Sequence, residues 1–168
     1  MKEIRRIVVG VGDVSDGARA LAWALAEARR RGTPVLAVRA WRDSSPPGPL
    51  RAERFELFGR AAGEVLVEAF HIAAGGVPND IECRLLVREG RTVDVLLGAA
   101  NREDDLLVVG ASRHRSWWPF GQTVSRCAHR AGCLVVVVPR SALARSAPAR
   151  KLVRELHREL DQMGKAKQ

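Results

Sequence analysis

A single α/β domain built on a parallel β-sheet is the fold class this sequence predicts, and three observations predict it. Five short apolar runs recur along the chain: Ile7–Val11, Pro34–Ala40, Ile81–Val87, Leu106–Val109 and Leu134–Val138. Three of them, the first and the last two, are nearly continuous and rich in Val and Ile, the mark of strands buried on both faces. The gaps carry helical periodicity, and alternating strands and helices imply βαβ units with right-handed crossovers.

The helical segments follow in order. Ala18–Arg31 places Ala20, Leu21, Ala24, Leu25 and Ala28 on one face, with Gly32 as a stop signal. Trp23 on this helix is expected to pack. Leu50–Ala74 carries the stripe Phe55, Phe58, Ala62, Val65, Leu66, Ala69 and Phe70. Arg91–Asn101 and Thr123–Ala131 are shorter. Asp43–Pro49, with three prolines and two serines, reads as a loop. The run Ile81–Val87 contains Glu82 and Arg84 and looks less central than the others.

The chain has 168 residues, enough for one domain with a real core. Hydrophobic residues make up 46% and charged residues 28%, which excludes a disordered chain. The formal charge of +9 favours phosphate-bearing partners in a general way. It comes with no spaced nucleic-acid-binding motif, so no nucleic-acid partner is expected. Cys83, Cys127 and Cys133 are odd in number, form no CxxC pair, and read as small buried hydrophobes. No signal-peptide core follows the N-terminus and no apolar stretch approaches 18 residues. A cytoplasmic protein without a membrane partner is the expectation.

Three segments together resemble the universal stress protein family. The first is Ile7-Val8-Val9-Gly10-Val11 with Ala20-Leu21-Ala22-Trp23-Ala24-Leu25 after a polar loop. The second is Asp105-Leu106-Leu107-Val108-Val109-Gly110-Ala111-Ser112. The third is Thr123-Val124-Ser125-Arg126 leading to Cys133–Pro139. The resemblance covers residues 3–139 and divides the chain into a domain over 1–140 and an extension over 141–168. It implies an adenine nucleotide alpha hydrolase-like fold: five parallel strands in the order 3-2-1-4-5, with helices on both faces. It also implies a stress-associated homodimer.

Nucleotide-binding members of that family share a Gly-x2-Gly-x9-Gly-(Ser/Thr) pattern, which cradles phosphates with backbone N–H groups and a helix N-terminus. Carried onto this sequence, Gly110 matches the first glycine and Ala111 follows it. Arg113 occupies the second glycine position and Gln122 the third. Gly121 stands one place early, Thr123 takes the hydroxyl position, and Val124 and Ser125 follow. The aspartate that closes the first strand in binding members is replaced by Gly12, after Gly10 and Val11, with Asp13 one place later. The adenine-side position falls near Ala40. Two lost contacts at roughly 1.5 kcal/mol each remove about 3 kcal/mol, on the order of a hundredfold in affinity. Weak or absent ATP binding is therefore expected, and no cofactor is firmly implied. In the alternative, AMP or ATP phosphates are held by Arg113, with His114 and Arg115 beside it, and by Thr123.

No acidic orienter accompanies Ser112, Ser116, His114 and Thr123, so no catalytic constellation is expected. His71, His114, His129 and His157 are scattered, which argues against a metal site. Trp117-Trp118-Pro119-Phe120 either anchors a protein partner or folds back over the shortened loop. Pro148–Met163 has an amphipathic pattern, with Ala149, Leu152, Val153, Leu156, Leu160 and Met163 on its stripe. The Leu152–Met163 stripe has three candidate seats: the domain itself, its twin in a dimer, or another protein. The leading expectation is a regulatory binding protein that dimerises through Leu134–Val138. An ATP-binding protein with slow hydrolysis is the second.

Overall fold

The structure, a computed structural model, describes residues 3–111 and 121–139. Strands β1 (Arg6–Gly10), β2 (Val35–Trp41), β3 (Cys83–Glu89), β4 (Asp105–Gly110) and β5 (Leu134–Val138) form one parallel sheet in the order β3-β2-β1-β4-β5. Between them run α1 (Val14–Arg31), α2 (Arg51–Ala74), α3 (Thr92–Ala99) and α4 (Gly121–Arg130). The strand order implied by the family resemblance is the one observed.

Two apolar layers sandwich the sheet. On one face Ile7, Val9, Val35, Ala37, Leu106 and Val108 meet Leu21, Ala24 and Leu25 of α1 and Leu66, Ala69 and Phe70 of α2. On the other, Val8, Val38, Leu107 and Val109 meet Val93, Val95 and Leu96 of α3 and Val124 and Cys127 of α4. The period-2 alternation thus feeds both layers, which is why the strand centres Ile7–Val9 and Leu106–Val109 are wholly apolar. Edge strand β3 shows the contrast: it is nowhere fully buried and carries Arg84, Arg88 and Glu89.

Several details differ from the sequence expectation. Helix α1 starts four residues earlier, at Val14, because Asp13 caps it through Oδ1, 2.8 Å from the Asp16 amide. Strand β3 runs two residues further, to Glu89, where the Gly90 amide donates to the Trp41 carbonyl at 2.9 Å. Trp23 of α1 is not in the core: it is 36% exposed. The first half of α2 also stands clear of the sheet. There Phe55 stacks edge-on with Trp41 at 4.9 Å between ring centroids, while burial begins only at Ala62. The loop positions 112–120 and the extension from 140 onward, with the expectations attached to them, lie outside the described residues.

Candidate functional site

In an open α/β sheet the ligand crevice lies beyond the carboxyl ends of the strands, where strand order reverses. Here that point is between β1 and β4. Gly10 is in register with Val109 of β4 and Val38 of β2, so the ends of three strands come level at the crevice floor. The chain leaves β1 toward the α1 face, and α4 packs on the opposite face of the sheet. The turn Val11-Gly12-Asp13 and the end Gly110-Ala111 are the two lips.

The sequence-predicted residues divide by what they do. Val11 is buried, and its amide donates to the Val38 carbonyl at 2.9 Å. Gly12 and Asp13 are exposed on the lip. Ala111 extends the β4–β5 ladder by donating to the Val138 carbonyl at 2.9 Å. Ala40 is half-buried at the end of β2. Gly121 opens α4, which puts Gln122, Thr123, Val124 and Ser125 in its first turns. Of these, Gln122 is exposed, Thr123 and Ser125 are half-buried, and Val124 belongs to the core. Arg113, His114, Arg115 and the aromatic run 117–120 lie outside the described residues.

Two glycines that look like parts of a phosphate cradle are spent on packing. A Cβ on Gly110 would lie 3.1 Å from the Asp16 carbonyl oxygen and 3.7 Å from the Ala20 Cβ. A Cβ on Gly10 would lie 3.0 Å from a Leu96 methyl. Gly110 therefore lets the first turns of α1 settle against β4. Gly110→Ala is expected to cost about 1–3 kcal/mol, read as a lower midpoint in urea. Unchanged stability would overturn the packing role.

Sequence reading missed a basic group at the crevice. Arg39 interrupts the apolar run of β2, at period 2 with buried Val35 and Ala37. Its Nη1 donates to the Val11 carbonyl at 3.2 Å, and its buried Nε has no hydrogen-bond partner. Burial pushes the guanidinium below the usual arginine value, and the Asp13 carboxylate opposes that shift. A lone charged residue inside an otherwise apolar strand was the available signal. Arg19, on the next turn of α1, pairs with Asp16. The near lip thus carries two arginines and two aspartates, a surface suited to holding a polar ligand.

Among the described residues no three His, Cys, Asp or Glu side chains converge as metal ligands. The three cysteines are free. Burial pushes the Cys127 thiol up to about 11, and burial also raises Cys83 and Cys133. Such thiols are poor nucleophiles at neutral pH. No described helix is long and apolar enough to cross a membrane.

Comparison with known proteins decides the family. The model of the universal stress protein family matches residues 3–139. The chain belongs to that family. No curated protein matches it. Among solved structures it resembles universal stress protein UspA from Lactobacillus plantarum, at 20% identity and a TM-score of 0.67, over 82% of this chain and 99% of that one. A universal stress protein from Archaeoglobus fulgidus is 27% identical with a TM-score of 0.55, over 79% and 97%. A family member from Arabidopsis thaliana with AMP bound is 18% identical with a TM-score of 0.55, over 85% and 96%. The fold shared with these universal stress proteins is adenine nucleotide alpha hydrolase-like.

Proposed function

We propose that this universal stress protein is a cytoplasmic, stress-associated regulatory binding module that works as a homodimer and holds ATP weakly or not at all. The observation that supports this reading best is the commitment of its remaining cradle residues. Gly110 is occupied by the approach of α1, and Asp13 spends Oδ1 on capping that helix. Val124 is in the core. Of the described residues, only the α4 terminus with Thr123, together with Arg39 and Asp13 on the opposite lip, remains for a ligand. These groups suit a small polar or anionic ligand better than a full triphosphate. The information would lie in occupancy by that ligand or by a protein partner, and not in turnover.

A second reading has its own support. Helix α4 begins at Gly121, and helix N-termini favour anions. Arg113 and Thr123 would then hold the phosphates of AMP or ATP. The relative from Arabidopsis that holds AMP makes a mononucleotide the first ligand to try.

Calorimetric titration with ATP and AMP, after removal of any co-purified nucleotide, separates the two. The expected ATP dissociation constant is weaker than about 1 μM, or about −8 kcal/mol. A tighter value would overturn the first reading. In that event Arg113→Ala should weaken binding. Tighter binding in Arg113→Gly would instead mark Arg113 as an obstruction.

A further inference from the structure

The arginines of this chain show how a guanidinium is satisfied in it. Arg6, Arg29 and Arg30 each turn their side-on edge, Nε with Nη2, onto the two oxygens of one carboxylate: Asp105, Asp80 and Glu27 respectively. That fork is the strong geometry for arginine and carboxylate. Arg39 departs from it. Among the described residues its hydrogen bonding is limited to Nη1, on the other side of the group, which donates to the neutral Val11 carbonyl at 3.2 Å. Nε is buried and has no partner. Nη2 makes no bond to a described residue and is not a buried atom, so the fork is shut at one prong and open at the other.

The neighbouring acids are committed elsewhere. Asp13 acts on Arg39 through its field, while its Oδ1 accepts the Asp16 amide as the cap of α1. Asp16 pairs with Arg19. A part-buried cation without a bonded counter-ion is costly to hold. The protein holds this one beside the crevice. Arg39 lies on the α1–α2 face of β2, in alternation with Val35 and Ala37. Val11, whose carbonyl it touches, is the first residue beyond β1.

We propose that the side-on edge of Arg39 anchors a small monocarboxylate, whose two oxygens supply the acid that the fork lacks. Charge selects this class. Arg39 brings one positive charge that no ion pair among the described residues neutralises, and the Asp13 carboxylate stands nearby. One negative charge is balanced there, whereas a phosphate dianion would leave its second charge facing Asp13. Shape points the same way. Nε is closed to water, so a ligand oxygen must part the wall to reach it, and a flat carboxylate needs less room than a tetrahedral phosphate. The seat lies on the face of the sheet opposite α4, away from the helix start that the second reading gives to phosphates. The inference rests on the reading that the crevice holds a small polar ligand, and it names that ligand's class and its anchor.

Nuclear magnetic resonance of the full chain tests the anchor, with acetate as the probe at constant ionic strength. The Arg39 Nε–H resonance, assigned by its loss in Arg39→Lys, is expected to shift saturably, with half-saturation on the order of millimolar. Arg39→Lys keeps the charge and loses the fork. Followed at the Val11 and Gly12 amides, acetate should bind that variant at least about tenfold more weakly. No saturation by about 100 mM acetate in the parent, or equal affinity in Arg39→Lys, would overturn the proposal. Inorganic phosphate saturating the same resonance at lower concentration would overturn the choice of a monocarboxylate. Urea unfolding without ligand gives an independent readout. Arg39→Met should keep or raise the midpoint, because it removes a cation that has no bonded acid. A lower midpoint would make Arg39 a structural tie to Val11 and sink the anchor. Tight ATP binding would fail the regulatory reading and leave the acetate result standing, whereas weak ATP binding with no acetate binding fails the anchor alone.

Discussion

Replacing Asp105 with alanine is expected to lower the unfolding free energy by about 3–5 kcal/mol, the largest single loss on this sheet. Asp105 opens β4 and is 1% exposed. Its Oδ1 accepts from Arg6 Nε and its Oδ2 from Arg6 Nη2, each at 2.8 Å. Oδ2 also accepts the Arg102 amide at 3.0 Å, and Arg6 Nη2 donates further to the Ala99 carbonyl at 2.9 Å. One carboxylate thus ties β1, β4 and the loop after α3 together. Alanine leaves the part-buried Arg6 cation without its partner and the Arg102 amide without its acceptor. Arg6 keeps some contact with water, which pulls the cost toward the lower end of the range. Urea unfolding of Asp105→Ala, Arg6→Met and the double variant isolates the pair. The double variant should be less destabilised than the two single losses added together, because it strands neither charge. A loss under about 1 kcal/mol in Asp105→Ala would mean the pair behaves like a surface ion pair. The tie sits at the amino ends of the strands, opposite the crevice, so ligand affinity in the folded protein should not change.

That tie also shows what the sequence concealed. Arg6 and Asp105 are 99 residues apart, one in a basic N-terminal stretch and the other beside Asp104 and Glu103. Local pattern reads both as solvated charge. Only the β1–β4 register, which sets Arg6 opposite Asp105, turns them into a buried pair. The strands themselves were legible because burial on both faces forces continuous Val and Ile, as in Val135–Val138. Strand order was legible only through the family resemblance, since periodicity does not say which strands are neighbours. At the crevice, Gly110 fits a phosphate-cradle pattern in sequence, yet a glycine that admits a phosphate and one that admits a helix backbone leave the same letter. Arg39 is hidden inside an apolar run for the converse reason: strand pattern averages over one charge, while the structure shows where that charge is held. The early start of α1 was written in Asp13, a good N-cap residue, but the polar turn hid it from the apolar periodicity.

Val136→Lys, or Val137→Lys, is expected to turn a dimer into a monomer. Strand β5 ends the sheet, pairing with β4 on one side. Among the described residues its other side has no strand partner, and Leu134–Val138 contains no charge and no proline. Soluble folds seldom leave so apolar an edge open. Antiparallel pairing with the same strand of a second copy would satisfy both edges across a twofold axis, the commonest oligomer symmetry. A lysine near that axis meets its own copy, and like charges facing each other across a strand pair destabilise it. Both valines are half-buried, so each variant also loses some packing, and far-ultraviolet dichroism should confirm that it remains folded. Light scattering at micromolar concentration gives the answer. The parent should weigh about twice the 18.4 kDa of one chain, and the lysine variants about that of one. A parent of one-chain mass would reject the edge pairing. A dimer unchanged by both lysines would move the interface off β5, with the Leu152–Met163 stripe as the next surface to test.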